Sequence, residues 1–413
     1  MAVLDRIRLT DRLATCRGLR APTPRCHVPC PAMGSLVVFP FKTERPDVVL
    51  KNVQIAAHHE SVDRVLCVGS DPETTFRAVE EAIPAIVSKT ATPVDLVLQD
   101  RIGTKRAGKG DAMNTGLRHF VDSDCDRLHF YDADITSFDD TWITKAETSA
   151  DLGYDMVRHY FPRSATDGMV TWMITRPGFA ILFPDSELPC IHQPLGGELV
   201  LSREAAETIT ADSTVARQSD WGIDTLITFS AVQHGMSISE VYIPQGKLHK
   251  LYGQLTDIRR MVIECFSAVQ ALRGQVLDRR ITHDVQPTES VPTSITKKTG
   301  YDFEATMRLI PKTFTFSQLD VLAALPAPAR EGMLSAHTGN VSFLNESLWH
   351  DVYLALLDNY IEGDEDWEEV LFLVWVVRVL AYTAHEAGAG YDSALRYLEG
   401  TIHRYRERHV SDA

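Results

Sequence analysis

Within about a hundred residues of Met33, four short, continuously apolar runs alternate with helical stretches. No other feature of the chain limits its fold as tightly. Leu36 to Phe39, ending at Pro40, predicts a buried strand. Pro46 to His58 then places Val49, Leu50, Val53, Ala56 and Ala57 at helical spacing. Val65 to Val68 before Gly69 is a second strand, Thr74 to Ser88 a helix with Pro84 as a kink point, and Val94 to Leu98 a third strand. Asp111 to Phe120 is a short helix leading to a fourth strand at Leu128 to Tyr131. Strands that are apolar along their whole length belong to parallel sheets covered by helices on both faces. The expectation is an α/β, Rossmann-like nucleotide-binding domain.

The pattern then changes twice. From Val157 to Tyr252 it is mixed, with Gly-rich turns, a helix starting near Trp221 and a strand over Ile238 to Ile243. Thr282 to Gly300 is polar and interrupted by Pro287 and Pro292, which predicts a linker or long surface loop. Beyond it, Leu319–Leu325, Leu344–Tyr360, Trp367–His385 and Tyr391–Arg406 read as helices, giving an all-helical C-terminal domain without recognisable chemistry. A chain of 413 residues has room for two or three cores. The domain expectation is an extension over 1–32, a nucleotide-binding domain over 33–255 and a helical domain over 256–413.

Composition removes several function classes. With 41 Lys and Arg against 56 Asp and Glu, the net charge is −15, which gives no general reason to bind nucleic acid or anionic lipid. The longest apolar run, Val370 to Val377, stops at Arg378, well short of the 18 or so residues of a membrane span, and reads as a buried helix, so no membrane role is expected. Cysteines 16, 26, 30, 67, 125, 190 and 265 are scattered without a repeat, which suits a reducing compartment such as the cytoplasm. Cys67 and Cys265 sit in apolar stretches as core residues, and Cys26-His27-x-x-Cys30 lacks the second pair of a zinc finger. Residues 1–32 carry six Arg and two Asp and read either as an organellar targeting segment or as the product of an upstream start codon.

The chemistry concentrates after the strands. Asp132-Ala133-Asp134 follows the fourth strand, at the end where open α/β sheets bind ligands. Two carboxylates so placed can hold a hard divalent cation that in turn binds a diphosphate. Asp122 to Asp126 has Arg127 where a calcium loop needs Gly, and Asp364 to Asp366 reads as helix-capping charge. Gln99 to Asp111 holds three Gly and the cations Arg101, Lys105, Arg106 and Lys109 at the start of a helix, either a phosphate cradle or a solvated loop. His249, beside Lys247 and Lys250, is a structural His or a further metal ligand. Asp224 opens a helix, as a first-turn carboxylate or as a catalytic group.

Lys109-Gly110-x-Ala112-x-Asn114 before a strand running into Asp-x-Asp resembles nucleotide-sugar glycosyltransferases of the GT-A fold. Four longer segments sharpen this: Ser35 to Lys42, His129 to Phe138, Gln193 to Glu198 and Ser219 to Leu226 resemble the mannosylglycerate synthase family, from about Ser35 into the C-terminal helices. The resemblance implies transfer of mannose from GDP-mannose to the 2-hydroxyl of D-glycerate with retention, giving the compatible solute α-mannosylglycerate. It implies a divalent cation (magnesium, with manganese or calcium as alternatives) and a GT-A domain followed by a helical domain used in homo-oligomer contacts. By matching motif, Pro40, Lys42, Glu44, Val68, Gln99, Lys109 and Asp132 would hold the donor, with Asp224 on the transferring sugar and Tyr252 closing the site. Asp134 and His249 would bind the metal; Arg163, Gly168, Met169, Val170, Thr171 and Leu195 would form the acceptor site. Arg163 also suits a carboxylate on its own chemistry, as a planar fork of donors. Thr43 to Arg45 and the loop before Asp132 depart from the family pattern, so donor preference follows less directly than reaction class.

Retention is open to two routes: attack on the face that GDP leaves, or a covalent intermediate on Asp224. The nearest alternatives are a related synthase using GDP-glucose or 3-phosphoglycerate. A phosphorylated acceptor would need cations beyond Arg163, and only Arg158 and Arg176 lie nearby in sequence. A sugar-phosphate nucleotidyltransferase normally carries a Gly-rich signature after its first strand, where this chain has Pro40-Phe41-Lys42-Thr43.

Overall fold

The computed structural model describes residues 34–249, 254–289, 291–298 and 300–411. The Arg-rich extension with Cys16, Cys26 and Cys30, and Tyr252, lie outside them. The N-terminal half runs β1 (Ser35–Phe41), α1 (Pro46–His58), β2 (Val62–Gly69), α2 (Thr74–Thr90), β3 (Val94–Leu98), α3 (Lys109–Val121) and β4 (Arg127–Phe130). It continues through α4 (Asp140–Ala150), β5 (Met156–Tyr160), α5 (Arg176–Leu182), β6 (Leu199–Ser202), α6 (Arg203–Ala211), α7 (Ser213–Ala216), α8 (Ile223–Gln233) and β7 (Ile238–Tyr242). Then come α9 (Arg259–Gln270), β8 (His283–Val285), α10 (Thr293–Thr296), α11 (Phe303–Met307), α12 (Phe316–Ala323), α13 (Ala327–Ser335), α14 (Glu346–Asn359), α15 (Glu365–His385) and α16 (Tyr391–Ser411).

Among the described residues the strands form one sheet in the order β3-β2-β1-β4-β6-β5-β7-β8. The four strands expected to be parallel are parallel, and β6 runs antiparallel to both neighbours. In β1, Val37 and Phe39 pack with α1 and α4 on one face, while Leu36 and Val38 pack with α3 and α8 on the other. That is the period-2 alternation of a strand buried on both sides. Helix α3 passes so close that a Cβ on Gly116 would lie 2.9 Å from both Val38 and Phe130.

Two expectations need correction. The segment 282–300 is not all loop: His283–Val285 pairs parallel to β7 as an edge strand, and α10 follows. Its polar, Pro-interrupted sequence hides a strand made by tertiary pairing. Helix α15 is, by length and composition, long and apolar enough to cross a membrane, although 72% of its apolar window is buried inside the protein. Arg378, which ends the apolar run, is itself buried and donates to the Leu344 carbonyl and to the Tyr397 hydroxyl.

The described residues, from Gly34 to Ser411, form one compact unit. Its largest core joins Met169, Val170, Met173 and Ile174 to helices α9 and α12 to α16. Trp349 Nε1 donates to the Met173 carbonyl at 3.1 Å and Tyr353 Oη to the Ile174 carbonyl at 2.8 Å. Both carbonyls belong to a π-helical turn, Thr171–Thr175, that leads into α5.

Candidate active site

The chain leaves β1 toward β2 and β3 on one side, then crosses back through α3 to β4 on the other. The crevice at such a reversal, beyond the carboxyl ends of the strands, is where open α/β sheets bind ligands. A cleft of about 400 Å³ lies there. Pro40, Lys42, Glu44, Gln99, Lys109, Asp132, Asp134, Arg163, Gly168 to Thr171, Leu195 and His249 all line it. The side-chain oxygen of Gln99 is buried there without a donor.

The cationic loop before α3 is built rather than solvated. Asp111, fully buried, accepts from the backbone N–H groups of Ile102 (3.1 Å) and Gly103 (2.9 Å) and from Arg101 (2.6 Å). Gly103 and Gly110 lie against residues 217–220, where a Cβ would come within 2.2 Å of Ser219 Oγ and 2.4 Å of the Gln218 carbonyl, respectively. Arg106 forms a two-pronged pair with Glu264 of α9 (2.6 and 3.0 Å). The loop therefore delivers Lys109, the first residue of α3, to a fixed point.

At that point five charges meet. Lys109 Nζ lies 2.9 Å from Asp132 Oδ1 and 3.0 Å from Asp224 Oδ2. Lys247 Nζ lies 2.5 Å from Asp132 Oδ2 and 2.6 Å from Glu198 Oε1. Burial disfavours both ammonium groups, yet the surrounding carboxylates raise their pKa values, so both stay charged. Burial likewise opposes ionisation of Asp132, but the two lysines hold its carboxyl well below the usual range. Glu198 and Asp224 go the other way: burial raises both, and proximity to Asp132 adds to it. Glu198 Oε2 and Asp224 Oδ1 are buried without a hydrogen-bond donor.

Beside this network, Asp134 Oδ2 and His249 Nδ1 lie 4.0 Å apart. Burial, and then the nearby Lys247 and Arg163, lower the His249 pKa, which favours the neutral imidazole a metal requires. One carboxylate oxygen and one imidazole nitrogen facing the cleft fit a divalent cation whose other ligands come from a bound diphosphate and water. Elsewhere along the cleft, Arg163 lies 3.3 Å from Asp167 and stacks on Phe161. Asp167 accepts from the Gly168 N–H at 2.7 Å, and Gly168 has φ of +69°, a conformation glycine adopts freely.

Most residues singled out in the sequence therefore converge. Val68 does not line the cleft; it is a fully buried residue of β2. Asp224, 1% exposed, sits one layer behind Lys109. Tyr252 lies outside the described residues. Glu198, Trp221, Asp167 and Lys247 join the site through contacts that no motif in the sequence marks. Trp221 places its ring 5.5 Å from Lys109 Nζ, a cation–π contact.

Comparison with known proteins adds a family. The model of the mannosylglycerate synthase GT domain matches residues 35–271, and that of the mannosylglycerate synthase C-terminal domain matches 295–402. Mannosylglycerate synthase of Rhodothermus marinus is 51% identical over 374 residues, covering 90% of this chain and 94% of the relative. Mannosylglycerate synthase of Selaginella moellendorffii is 49% identical over 373 residues, covering 89% and 88%. Among solved structures, glucosyl-3-phosphoglycerate synthase of Mycobacterium tuberculosis aligns with a TM-score of 0.47 at 19% identity, over 64% of this chain and 91% of that one.

Proposed function

The chain belongs to the mannosylglycerate synthase family of glycosyltransferases, and on that premise we propose that it transfers mannose from GDP-mannose to the 2-hydroxyl of D-glycerate with retention. The product would be the compatible solute α-mannosylglycerate.

The observation that carries the choice of acceptor is where the arginines near the acceptor end point. Arg158 is fully buried and donates to the Gln193 and Gly196 carbonyls at 3.0 and 2.7 Å. Arg176 pairs with Glu399 at 2.8 Å and with the Pro189 carbonyl. Neither lines the cleft; Arg163 does, already partly neutralised by Asp167, and Arg106, which also lines it, is paired with Glu264. One guanidinium fork matches the carboxylate of glycerate. A phosphate dianion would want more positive charge and would meet the Asp167 carboxylate. Unphosphorylated D-glycerate therefore fits better than 3-phosphoglycerate.

Asp134 and His249 would hold a divalent cation, magnesium or manganese, which when bound supplies Lewis-acid stabilisation of the departing diphosphate. The chain's own groups do the rest. Lys109, fixed by its loop and by Trp221, neutralises charge growing on the β-phosphate as the glycosidic bond stretches. Arg163 and the Gly168 to Thr171 segment hold the acceptor so that its hydroxyl faces the anomeric carbon. Asp224 acts first on Lys109, which it orients; on the covalent route it would have to reach past that ammonium to the sugar, and a trapped glycosyl adduct on Asp224 would establish that route. The helical C-terminal domain would supply homo-oligomer contacts: α12 and α13 expose Phe316 (90%) and Leu334 (45%). We place the enzyme in the cytoplasm, or in an organelle if residues 1–32 target it there.

The test is GDP release from GDP-mannose with D-glycerate or 3-phosphoglycerate as acceptor, and from GDP-glucose in parallel. Turnover should be greatest with GDP-mannose and D-glycerate. A preference for 3-phosphoglycerate would overturn the reading of Arg163, and a preference for GDP-glucose would overturn the donor.

A further inference from the structure

The first carboxylate of the Asp132-Ala133-Asp134 motif has both oxygens occupied by ammonium groups of this chain: Oδ1 by Lys109 at 2.9 Å and Oδ2 by Lys247 at 2.5 Å. Lys247 is not a loosely placed surface cation. Its side chain is 8% exposed, and Glu198, fully buried, grips it from the other side at 2.6 Å. The loop that carries it is pinned at several points. Ser137 Oγ donates to the Gly246 carbonyl at 2.8 Å, the Leu248 N–H donates to Ser137 Oγ at 2.9 Å, and the Thr136 N–H donates to the Leu248 carbonyl at 2.7 Å. Gly246 turns there with φ of +75°, and a Cβ on it would lie 2.6 Å from Ile295 Cδ1.

Magnesium or manganese needs about six ligands. Asp132, two residues from Asp134, would be the natural third protein ligand. Yet among the described residues no three His, Cys, Asp or Glu side chains gather so as to hold an ion. Lys109 holds one oxygen of Asp132, and the ammonium of Lys247, set between Asp132 and Glu198, holds the other. We propose that Lys247 is the specificity-determining residue that withholds Asp132 from the cation site, so that cation binding waits for the nucleotide's phosphates. This rests on the reading of Asp134 and His249 as the metal pair. The consequence is an order of events: the free protein holds a divalent cation weakly through two side chains, and the diphosphate of the donor supplies the missing oxygens. Lys247 serves as a built-in cation that keeps the buried carboxylates Asp132 and Glu198 neutralised until then.

The experiment is manganese binding followed by electron paramagnetic resonance, with manganese alone and with GDP, on the full chain and on Lys247→Met, Lys247→Arg and Asp134→Asn. The native protein should bind manganese weakly alone and at least about tenfold more tightly with GDP. In Lys247→Met the affinity without GDP should rise by about ten- to hundredfold, the range over which outer groups tune metal sites, and the effect of GDP should shrink. Lys247→Arg, which keeps the charge, should behave as the native protein. Lys247→Gln serves if the methionine variant does not fold, with the same result expected. If the native protein binds manganese with GDP but neither neutral variant binds it more tightly alone, the role of Lys247 is overturned. If manganese does not bind even with GDP, or Asp134→Asn leaves binding unchanged, the metal pair itself is wrong and the inference fails with it.

Discussion

Gly197 has no side chain because Lys109 and Asp132 occupy the space that one would need: a Cβ there would lie 2.4 Å from Lys109 Nζ and 2.6 Å from Asp132 Oδ1. Gly197→Ala should therefore push the lysine off the β-phosphate position while leaving the sheet intact. We expect kcat/KM to fall by about a hundredfold, the cost typical of a small misplacement in an active site, with a thermal midpoint close to native; steady-state kinetics beside a melting curve checks both. Arg163→Lys keeps the charge but loses the fork. It should raise the KM for D-glycerate about tenfold or more with a smaller change in kcat, in keeping with loss of a bidentate carboxylate contact, as an acceptor titration would show. At this scale the sequence was informative where residue type and place in a motif coincide. Asp132, Lys109 and Arg163 could be singled out because a carboxylate after a strand, a lysine between glycines and an arginine suited to a carboxylate each have a chemistry. Lys247 and Glu198 could not be paired, because nothing in their separation along the chain says that the residue before β6 and the loop after β7 meet at Asp132.

The strands far from β1 show a different balance. Glu240 of β7 is fully buried, which would raise its pKa, but His192 and His283 bond to it and hold it at about 2 instead of the ordinary 4.5. His159 of β5, also buried, is lowered by desolvation from 6.5 to about 4. In both cases the unfolded chain takes up protons before the folded one does as pH falls. On these two groups stability should decline between about pH 6.5 and 4 as unfolded His159 charges and further between 4.5 and 2 through Glu240, while His192, whose pKa Glu240 raises against the effect of burial, adds stability as it takes up its proton and loses that share as pH rises. Glu240→Gln should be less stable than native at pH 7 and should lose less stability below pH 4.5; urea unfolding at pH 7, 5 and 4 measures this. The same region shows where element prediction stops. β1 and α1 are visible because their apolar spacing is set by burial; the edge strand β3 is visible from its apolar residues although only Val94 is buried. β8 is not, because His283-Asp284-Val285 owes its strand conformation to pairing with β7 and to the His283–Glu240 contact at 2.7 Å.

Taken as a whole, the molecule ties its helical third to the segment proposed to hold the acceptor. The bonds from Trp349 and Tyr353 to the carbonyls of Met173 and Ile174 hold the segment that follows Gly168 to Thr171, and the largest core runs through both parts. A fragment ending near residue 280 should therefore fail to fold, and Trp349→Ala should destabilise the full chain by about 3–5 kcal/mol, the usual cost of emptying a large aromatic site. Chemical denaturation of both tests it. The sequence showed the helices of this third but not their purpose, since no motif marks a residue whose task is to support a backbone carbonyl. The central claim, transfer of mannose to D-glycerate with retention, is tested most directly by following the anomeric proton by NMR in a mixture of the protein, GDP-mannose, D-glycerate and magnesium. The account predicts a new α-anomeric signal that grows with GDP and disappears on chelation. A β-anomeric product, or no product from D-glycerate where 3-phosphoglycerate yields one, would contradict it.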